Sequence, residues 1–282
     1  LLFVDSYFVT EPYLQAVSGI CPVAYLDDLQ LFDYPVDLVI NYDVIPEDML
    51  PSYQVAYKRA GQTLLGASYT PLRSQFQMEV PAVRSSVKDI LITTGGSDPY
   101  HFCLNLLSCF QERLSALIAE PDFHLHVLIG SLNEDKRLLR ELAAELSFLR
   151  LHENVTDMAA LMASCDLAIS AAGTTLYELC AVGIPAVSYS FADNQLPSSL
   201  AFANVGAVPY AGDLRMDTES CSIVPSPNSK DTGSAHGLPD VLSAVCHFVT
   251  DMSGNIAKRK SAQQSMHRLI DGKGSYRIAG AL

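Results

Sequence analysis

The 282-residue chain has no tryptophan, and its 18 Lys and Arg are far outnumbered by 31 Asp and Glu. The missing tryptophan excludes no fold. The shortage of basic residues excludes more: with a formal charge of −13 and no basic patch, a duplex or an anionic membrane surface is a poor partner. No Cys-x-x-Cys pair occurs among the seven cysteines, Cys21, Cys103, Cys109, Cys165, Cys180, Cys221 and Cys246. Their odd number and their places in apolar stretches predict reduced thiols and a cytoplasmic protein. No run of eighteen apolar residues and no basic-then-apolar leader is present, so neither a membrane span nor a secretory signal is expected. Nothing in the spacing calls for a metal or a cofactor. Charged residues are only 17% and apolar residues 49%, enough for the cores of two domains.

The most informative stretch begins with the apolar run Asp166-Leu-Ala-Ile-Ser170 and turns through Ala171, Ala172 and Gly173. Thr174 and Thr175 follow, and Glu178 lies three residues beyond Thr175, the spacing of a capping box. A helix over 176–182 should stop at Gly183, with Pro185 forbidding a restart and Ala186-Val-Ser-Tyr189 forming a strand. Strand, small-residue turn, helix and strand make one βαβ unit. Its turn offers backbone N–H groups and the positive end of a helix dipole, a setting that suits phosphate. A Thr-x-x-Glu box is also an ordinary helix cap. The functional reading gains from the position of the turn, at the carboxyl end of a parallel strand. A carboxylate one turn into such a helix can reach a ribose diol.

The rest of the chain repeats this alternation. Short apolar runs at 1–4, 22–26, 38–40 and 62–66 read as strands, the first three ending in polar residues, and 13–17 as a helix. A stronger strand, 89–94, ends in Gly95-Gly-Ser-Asp-Pro99, where the glycines admit close backbone approach and Ser97 or Asp98 can cap a helix over 101–118. A Gly-Gly pair also makes a tight turn without any ligand. Strands at 124–129, 149–151 and 207–210 and helices at 133–146, 158–163, 200–204, 241–250 and 256–270 follow, with a short tail at 276–278. The segment 211–240, rich in Ser, Asp, Pro and Gly, reads as a mobile insertion. These elements predict an α/β fold of parallel sheets. Because the chain opens directly on a strand without an initiator Met, the first domain is expected to lack its beginning.

The ordered set Asp5-Ser-Tyr7, Leu26-Asp-Asp28, Ile40-Asn-Tyr42, Leu64-Leu-Gly66 with Pro71-Leu-Arg73, Gly95-Gly-Ser-Asp98, His152-Glu-Asn154, Ser170-Ala-Ala-Gly-Thr-Thr-Leu-Tyr-Glu178 with Asp193-Asn-Gln195, and Asp271-Gly-Lys-Gly274 resembles the PseG/SpsG family. These are UDP-sugar hydrolases of pseudaminic acid synthesis and spore-coat polysaccharide proteins, similar to MurG glycosyltransferases. The resemblance implies a GT-B fold, two Rossmann-like domains facing across a cleft that holds a UDP-sugar. The expected domains are 1–70, a partial first domain; 71–255, which holds the nucleotide; and 256–282, with helix 256–270 packing back toward the first domain. On the same grounds Gly95, Gly96 and Ser97 would line the cleft, and Ala172, Gly173, Thr174 and Thr175 would face the diphosphate. Glu178 would take the ribose hydroxyls, and Asn194 and Gln195 would reach sugar or phosphate.

The chain also departs from this pattern. The family's Gly-x-Gly-His-x-x-Arg type loop, which carries its catalytic histidine, is not found, and the catalytic group is expected upstream of Leu1. Asp5, Asp27 and His101 are the alternative candidates for a base. Two other functions share the same nucleotide site: transfer of the sugar to an acceptor, and UDP-sugar binding without catalysis.

Overall fold

The computed structural model describes residues 1–215 and 237–282. In chain order it contains β1 (Leu2–Asp5), α1 (Glu11–Ser18), β2 (Val23–Leu26), β3 (Leu38–Asn41), α2 (Leu50–Ala56) and β4 (Gln62–Leu65). Next come β5 (Asp89–Thr93), α3 (Phe102–Arg113), α4 (Ser115–Ile118), β6 (His124–Leu128), α5 (Lys136–Glu145) and β7 (Leu149–His152). The remainder is α6 (Met158–Ala163), β8 (Leu167–Ala171), α7 (Thr174–Val182), β9 (Ala186–Ser190), α8 (Leu196–Asn204), β10 (Tyr210–Asp213), α9 (Gly237–Ser253), α10 (Ile256–Leu269) and α11 (Gly274–Ala281). The chain forms two compact units, Leu1–Met78 with Arg268–Leu282, and Glu79–His267.

In the first unit four parallel strands pair in the order β1-β2-β3-β4. Strands β2 and β3 are almost wholly buried because both faces are covered, which is why they read as continuous apolar runs rather than alternating ones. One face packs Val23, Tyr25 and Val39 with Leu14 of α1 and with Tyr34 and Tyr57. The other packs Ala24, Leu38, Ile40 and Leu64 with Ile278 of α11.

The second unit has six parallel strands in the order β10-β9-β8-β5-β6-β7. Numbered within the unit this is 6-5-4-1-2-3, the doubly wound order, and the direction of winding reverses between β5 and β8. Ile90, Ile92, Leu125, Val127 and Ile169 form a core with Phe102, Leu106 and Phe110 of α3 and Val245 and Val249 of α9. Burial of each such side chain is worth roughly 1.5–3 kcal/mol.

Several elements differ from expectation. The last strand is Tyr210–Asp213 rather than 207–210, because Pro209 has no N–H to give and joins the pairing with β9 only through its carbonyl, which accepts Ser188 N–H at 2.9 Å. Of the expected insertion 211–240, residues 216–236 lie outside the described residues, while its flanks are strand β10 and the first turn of α9. The helix expected over 101–118 breaks at Leu114 into α3 and α4. Helix α2 escaped the sequence reading since it buries no side chain completely and carries Pro51 in its first turn. Helix α10 through His267 falls in the second unit: buried Arg259 donates to the carbonyls of Arg84, Ser85, Met252 and Ser253, and Gln263 to that of Pro81. The element that packs on the first sheet is α11, which reads in sequence as a short tail. Among the described residues no helix is long and apolar enough to cross a membrane.

Candidate functional site

The direction of winding reverses between β5 and β8, and open parallel sheets bind ligands beyond the carboxyl ends of the strands at such a point; two turns flank it here. After β5 the backbone passes Thr94 into Gly95, which has φ +77°, a conformation glycine adopts without strain. The Gly95 N–H donates to Thr93 Oγ1 at 3.3 Å, and Gly96 O accepts from Leu132 N–H at 2.9 Å. This turn lies against Gly130, at the end of β6, so closely that a Cβ on Gly130 would stand 2.2 Å from Gly95 O. Beneath the turn, Thr94 is 1% exposed and its Oγ1 meets no hydrogen-bond partner. Asp98 then closes the helix entrance, its carboxylate accepting the N–H groups of Phe102 at 2.8 Å and Cys103 at 2.9 Å. Of the two expected caps it is therefore Asp98 that binds the helix N–H groups.

His101 is held in the left-handed region at φ +51°, and its Nδ1 lies 2.7 Å from Asp135 Oδ2. That carboxylate raises the imidazole's pKa, so the cation persists to higher pH than in an ordinary histidine.

The second turn differs from the expected capping box. Strand β8 runs through Ala171, Ala172 N–H donates to Tyr189 O at 2.8 Å, and the chain enters α7 at Thr174 with Gly173 as N-cap. No side chain caps this helix. The box fails because the helix starts two residues before the position the Thr-x-x-Glu spacing implies, so Thr174 and Thr175 are helical and Glu178 is the fifth residue. In α7, Leu176, Tyr177, Leu179, Cys180, Ala181 and Val182 are all buried. Gly173 and Thr174 are exposed, and Thr175 and Glu178 are partly so. Residues three and four apart share a helix face, so Thr174, Thr175 and Glu178 form one polar strip running back from the bare N-terminus.

After β9, Asp193 and Asn194 are exposed in a short 3-10 turn, while Gln195 folds inward with its Oε1 accepting Phe191 N–H at 2.9 Å. Arg215, beyond β10, forks onto buried Asp213 at 3.0 and 2.7 Å and reaches Asp193 at 2.5 Å. No sequence signal marks it, since it lies within the Ser-, Asp-, Pro- and Gly-rich stretch 211–240. Burial pushes the Asp213 carboxyl up, but the Arg215 fork and N–H more than offset this and hold it below the usual range.

The first unit carries its own polar cluster at the carboxyl ends of its strands. Asp27 is 1% exposed and accepts four hydrogen bonds, from Tyr57 Oη at 2.6 Å, Tyr34 Oη at 2.8 Å and the N–H groups of Gln30 and Leu29. Asn41 Nδ2 donates to Tyr57 Oη at 3.0 Å. So saturated a carboxylate anchors the loop after β2 and has no free oxygen with which to take a proton from water. Asp43 is different: burial raises its pKa, against the hydrogen bonds of Asn41 and Tyr53. Tyr34, Tyr57 and Asp43 gave no sequence signal, since only the fold gathers them around Asp27 and Asn41.

No protein-family model matches the chain. In sequence it is 24% identical over 219 residues to the spore coat polysaccharide biosynthesis protein SpsG of Bacillus subtilis, covering 77% of this chain and 57% of SpsG. It is 27% identical over 145 residues to the pseudaminic acid cytidylyltransferase and UDP-2,4-diacetamido-2,4,6-trideoxy-beta-L-altropyranose hydrolase of Helicobacter pylori, covering 51% of this chain and 25% of that protein. The chain thus spans little more than half, or less, of these relatives. Among solved structures, MurG of Acinetobacter baumannii has a TM-score of 0.53 at 14% identity, covering 96% of this chain and 75% of MurG. Parallel α/β units with this likeness define a protein of the GT-B fold class. Within that class, the similarity in sequence to SpsG and to the Helicobacter pylori protein agrees with the resemblance to the PseG/SpsG family.

Proposed function

We propose that the second unit binds a UDP-sugar beyond the carboxyl ends of β5 and β8, and that the whole protein hydrolyses it to UDP and a free amino-deoxy sugar in polysaccharide or nonulosonate biosynthesis. The observation that carries this reading is the polar strip of α7. A helix otherwise packed in the core leaves accessible an uncapped N-terminus and Thr174, Thr175 and Glu178. The N–H groups and dipole there suit a diphosphate, and Glu178, one turn on, suits the two hydroxyls of a ribose. Gly95, Gly96 and Ser97 would complete the cradle from the neighbouring strand, with Asn194 and Gln195 on the far side of β8. The names of the relatives, one a UDP-sugar hydrolase and one a polysaccharide biosynthesis protein, support the substrate class.

In the hydrolysis a water oxygen bonds to the anomeric carbon while the bond from that carbon to the diphosphate oxygen breaks. The water gives up a proton to a base, and UDP leaves with the electron pair. The residues above act on the leaving group by holding developing charge on the diphosphate against fixed N–H dipoles. The base is not assigned to a residue of this chain.

Calorimetric titration with UDP tests the site. Glu178→Ala should weaken binding by about 1.5–3 kcal/mol, the worth of hydrogen bonds to a charged group, with the fold retained. Unchanged affinity would refute the ribose contact. Incubating a UDP-linked amino-deoxy sugar with and without an acceptor alcohol then separates hydrolysis from transfer: UDP release that depends on acceptor marks a transferase.

A further inference from the structure

The opposite end of the second sheet holds a cluster that the nucleotide reading does not use. Asp89 opens β5 and His124 opens β6, and the two residues are direct neighbours in the parallel register. His126 follows two residues later on the same face, and His152 ends the next strand. Asp89 Oδ1 lies 2.8 Å from His126 Nε2 and 3.3 Å from His124 Nδ1. A carboxylate oxygen only accepts, so both ring nitrogens direct a proton at the same atom. This is an arrangement in which one divalent cation replaces two protons.

We propose that Asp89, His124 and His126 form a binding site for a first-row divalent metal ion of the Zn2+ type. The three ligand atoms lie within 4.8 Å of one another. A tetrahedral ion with bonds of about 2.0–2.1 Å keeps its donors ~3.3 Å apart. The Asp89–His124 separation already meets this, and the Asp89–His126 pair needs to open by ~0.5 Å. Two imidazoles and a carboxylate, with a fourth position for water, match the donor preferences of Zn2+, Co2+ and Ni2+ rather than those of Mg2+ or Ca2+.

The surroundings are built to orient these ligands. His126 turns its other nitrogen, Nδ1, toward His152 Nε2 at 2.9 Å, and the two rings stack with centroids 5.1 Å apart. A ligating histidine ordinarily has such an outer partner. Arg84 Nη1 holds Asp89 Oδ2 at 2.8 Å and leaves Oδ1 to face the histidines. Arg84 is shared with Asp166, 2.6 Å from its Nε, so one guanidinium faces two carboxylates and the group keeps a net negative charge that attracts a cation. The side chains of Asp89 and His126 are about 15% exposed and that of His124 29%, which leaves access for an ion and its water. A metal here would tie the first residues of β5 and β6 together, ~13 Å along the strand from the glycine turn at the other end of β5. Its role is therefore to brace the sheet.

The test is titration of the metal-free full chain with Co2+ and Zn2+. Expected are one equivalent bound, the intense visible absorption of four-coordinate Co2+, and its loss on adding Zn2+. His124→Ala and His126→Ala should each lower affinity by at least roughly 100-fold, His152→Ala by about 10- to 100-fold, and His247→Ala, on exposed α9 surface, not at all. To avoid dependence on how the variants fold, diethylpyrocarbonate labelling of the unaltered chain gives a second readout. Zn2+ should protect His124 and His126 and leave His247 reactive. Absence of binding at micromolar metal, an equal loss in His247→Ala, or no protection of His124 and His126 overturns the proposal.

Discussion

Gly130 shows how a residue outside the proposed contacts can fix the shape of a turn. Its Cα lies under the glycine turn, where a Cβ would meet Gly95 O at 2.2 Å and Gly96 O at 2.4 Å. Both obstacles are backbone, so no side-chain rotation relieves the clash. Gly130→Ala should cost about 1–3 kcal/mol, as overpacking does, and should push the 95–96 turn out of place. Thermal unfolding and UDP titration of the variant measure the two effects. A variant with unaltered melting and unaltered affinity would show that the turn is free to move. Asp27 illustrates the opposite case, a residue with the chemistry of a catalyst but none of the freedom, since every donor around it is already committed.

Among the elements, α11 depends on one carboxylate. Asp271 accepts Lys273 N–H at 3.0 Å just before the helix and grips Arg277, one turn inside it, at 2.7 and 2.5 Å. Arg277 in turn donates to Ser68 O at 2.8 Å, and Ile278 enters the core of the first unit. The Arg277 contact is the main cause that lowers the Asp271 pKa to about 2. A carboxyl whose folded pKa is depressed adds stability that is complete above its unfolded value, about 3.9, and is lost as pH falls through the folded value. Asp271→Asn should therefore reduce hydrogen-exchange protection of the α11 amides at pH 5. Relative to the unaltered chain, that difference should shrink steadily as the pH falls from 5 toward 2. A difference independent of pH would mean that the side chain acts by shape and not by charge. In the second unit, α7 makes the complementary point: it is fixed by burial of six side chains, so its N-terminus needs no side-chain cap and stays available.

For the molecule as a whole, the charge of −13 works against an anionic ligand. The long-range field repels UDP, and attraction must come from N–H groups and a helix dipole acting over a few ångströms. Salt screens the first much more than the second, with a Debye length near 10 Å at 0.1 M. UDP affinity should therefore hold or rise between about 0.02 and 0.15 M NaCl, measured by calorimetry at constant pH. A fall with salt would indicate a Lys or Arg clamp and would contradict the cradle described for β5 and β8. The alternation of apolar runs with amphipathic segments determined most of this architecture in advance: among the described residues nine of ten strands are readable near their places, most plainly β2, β3 and β5, which are buried on both faces and therefore largely apolar. The small-residue turn and the glycine pair were legible because each is a run of consecutive residues, and the proposal that they hold a phosphate rests on their bare backbone. Strand order, and with it the winding reversal between β5 and β8, came from pairing across 77 residues of sequence, which no local pattern encodes. The same holds for Asp27 with Tyr34 and Tyr57, for Asp213 with Arg215, and for Asp89 with His124 and His126. Each lies on separate elements, and only the register of the sheets and the packing upon them bring such side chains within hydrogen-bonding distance.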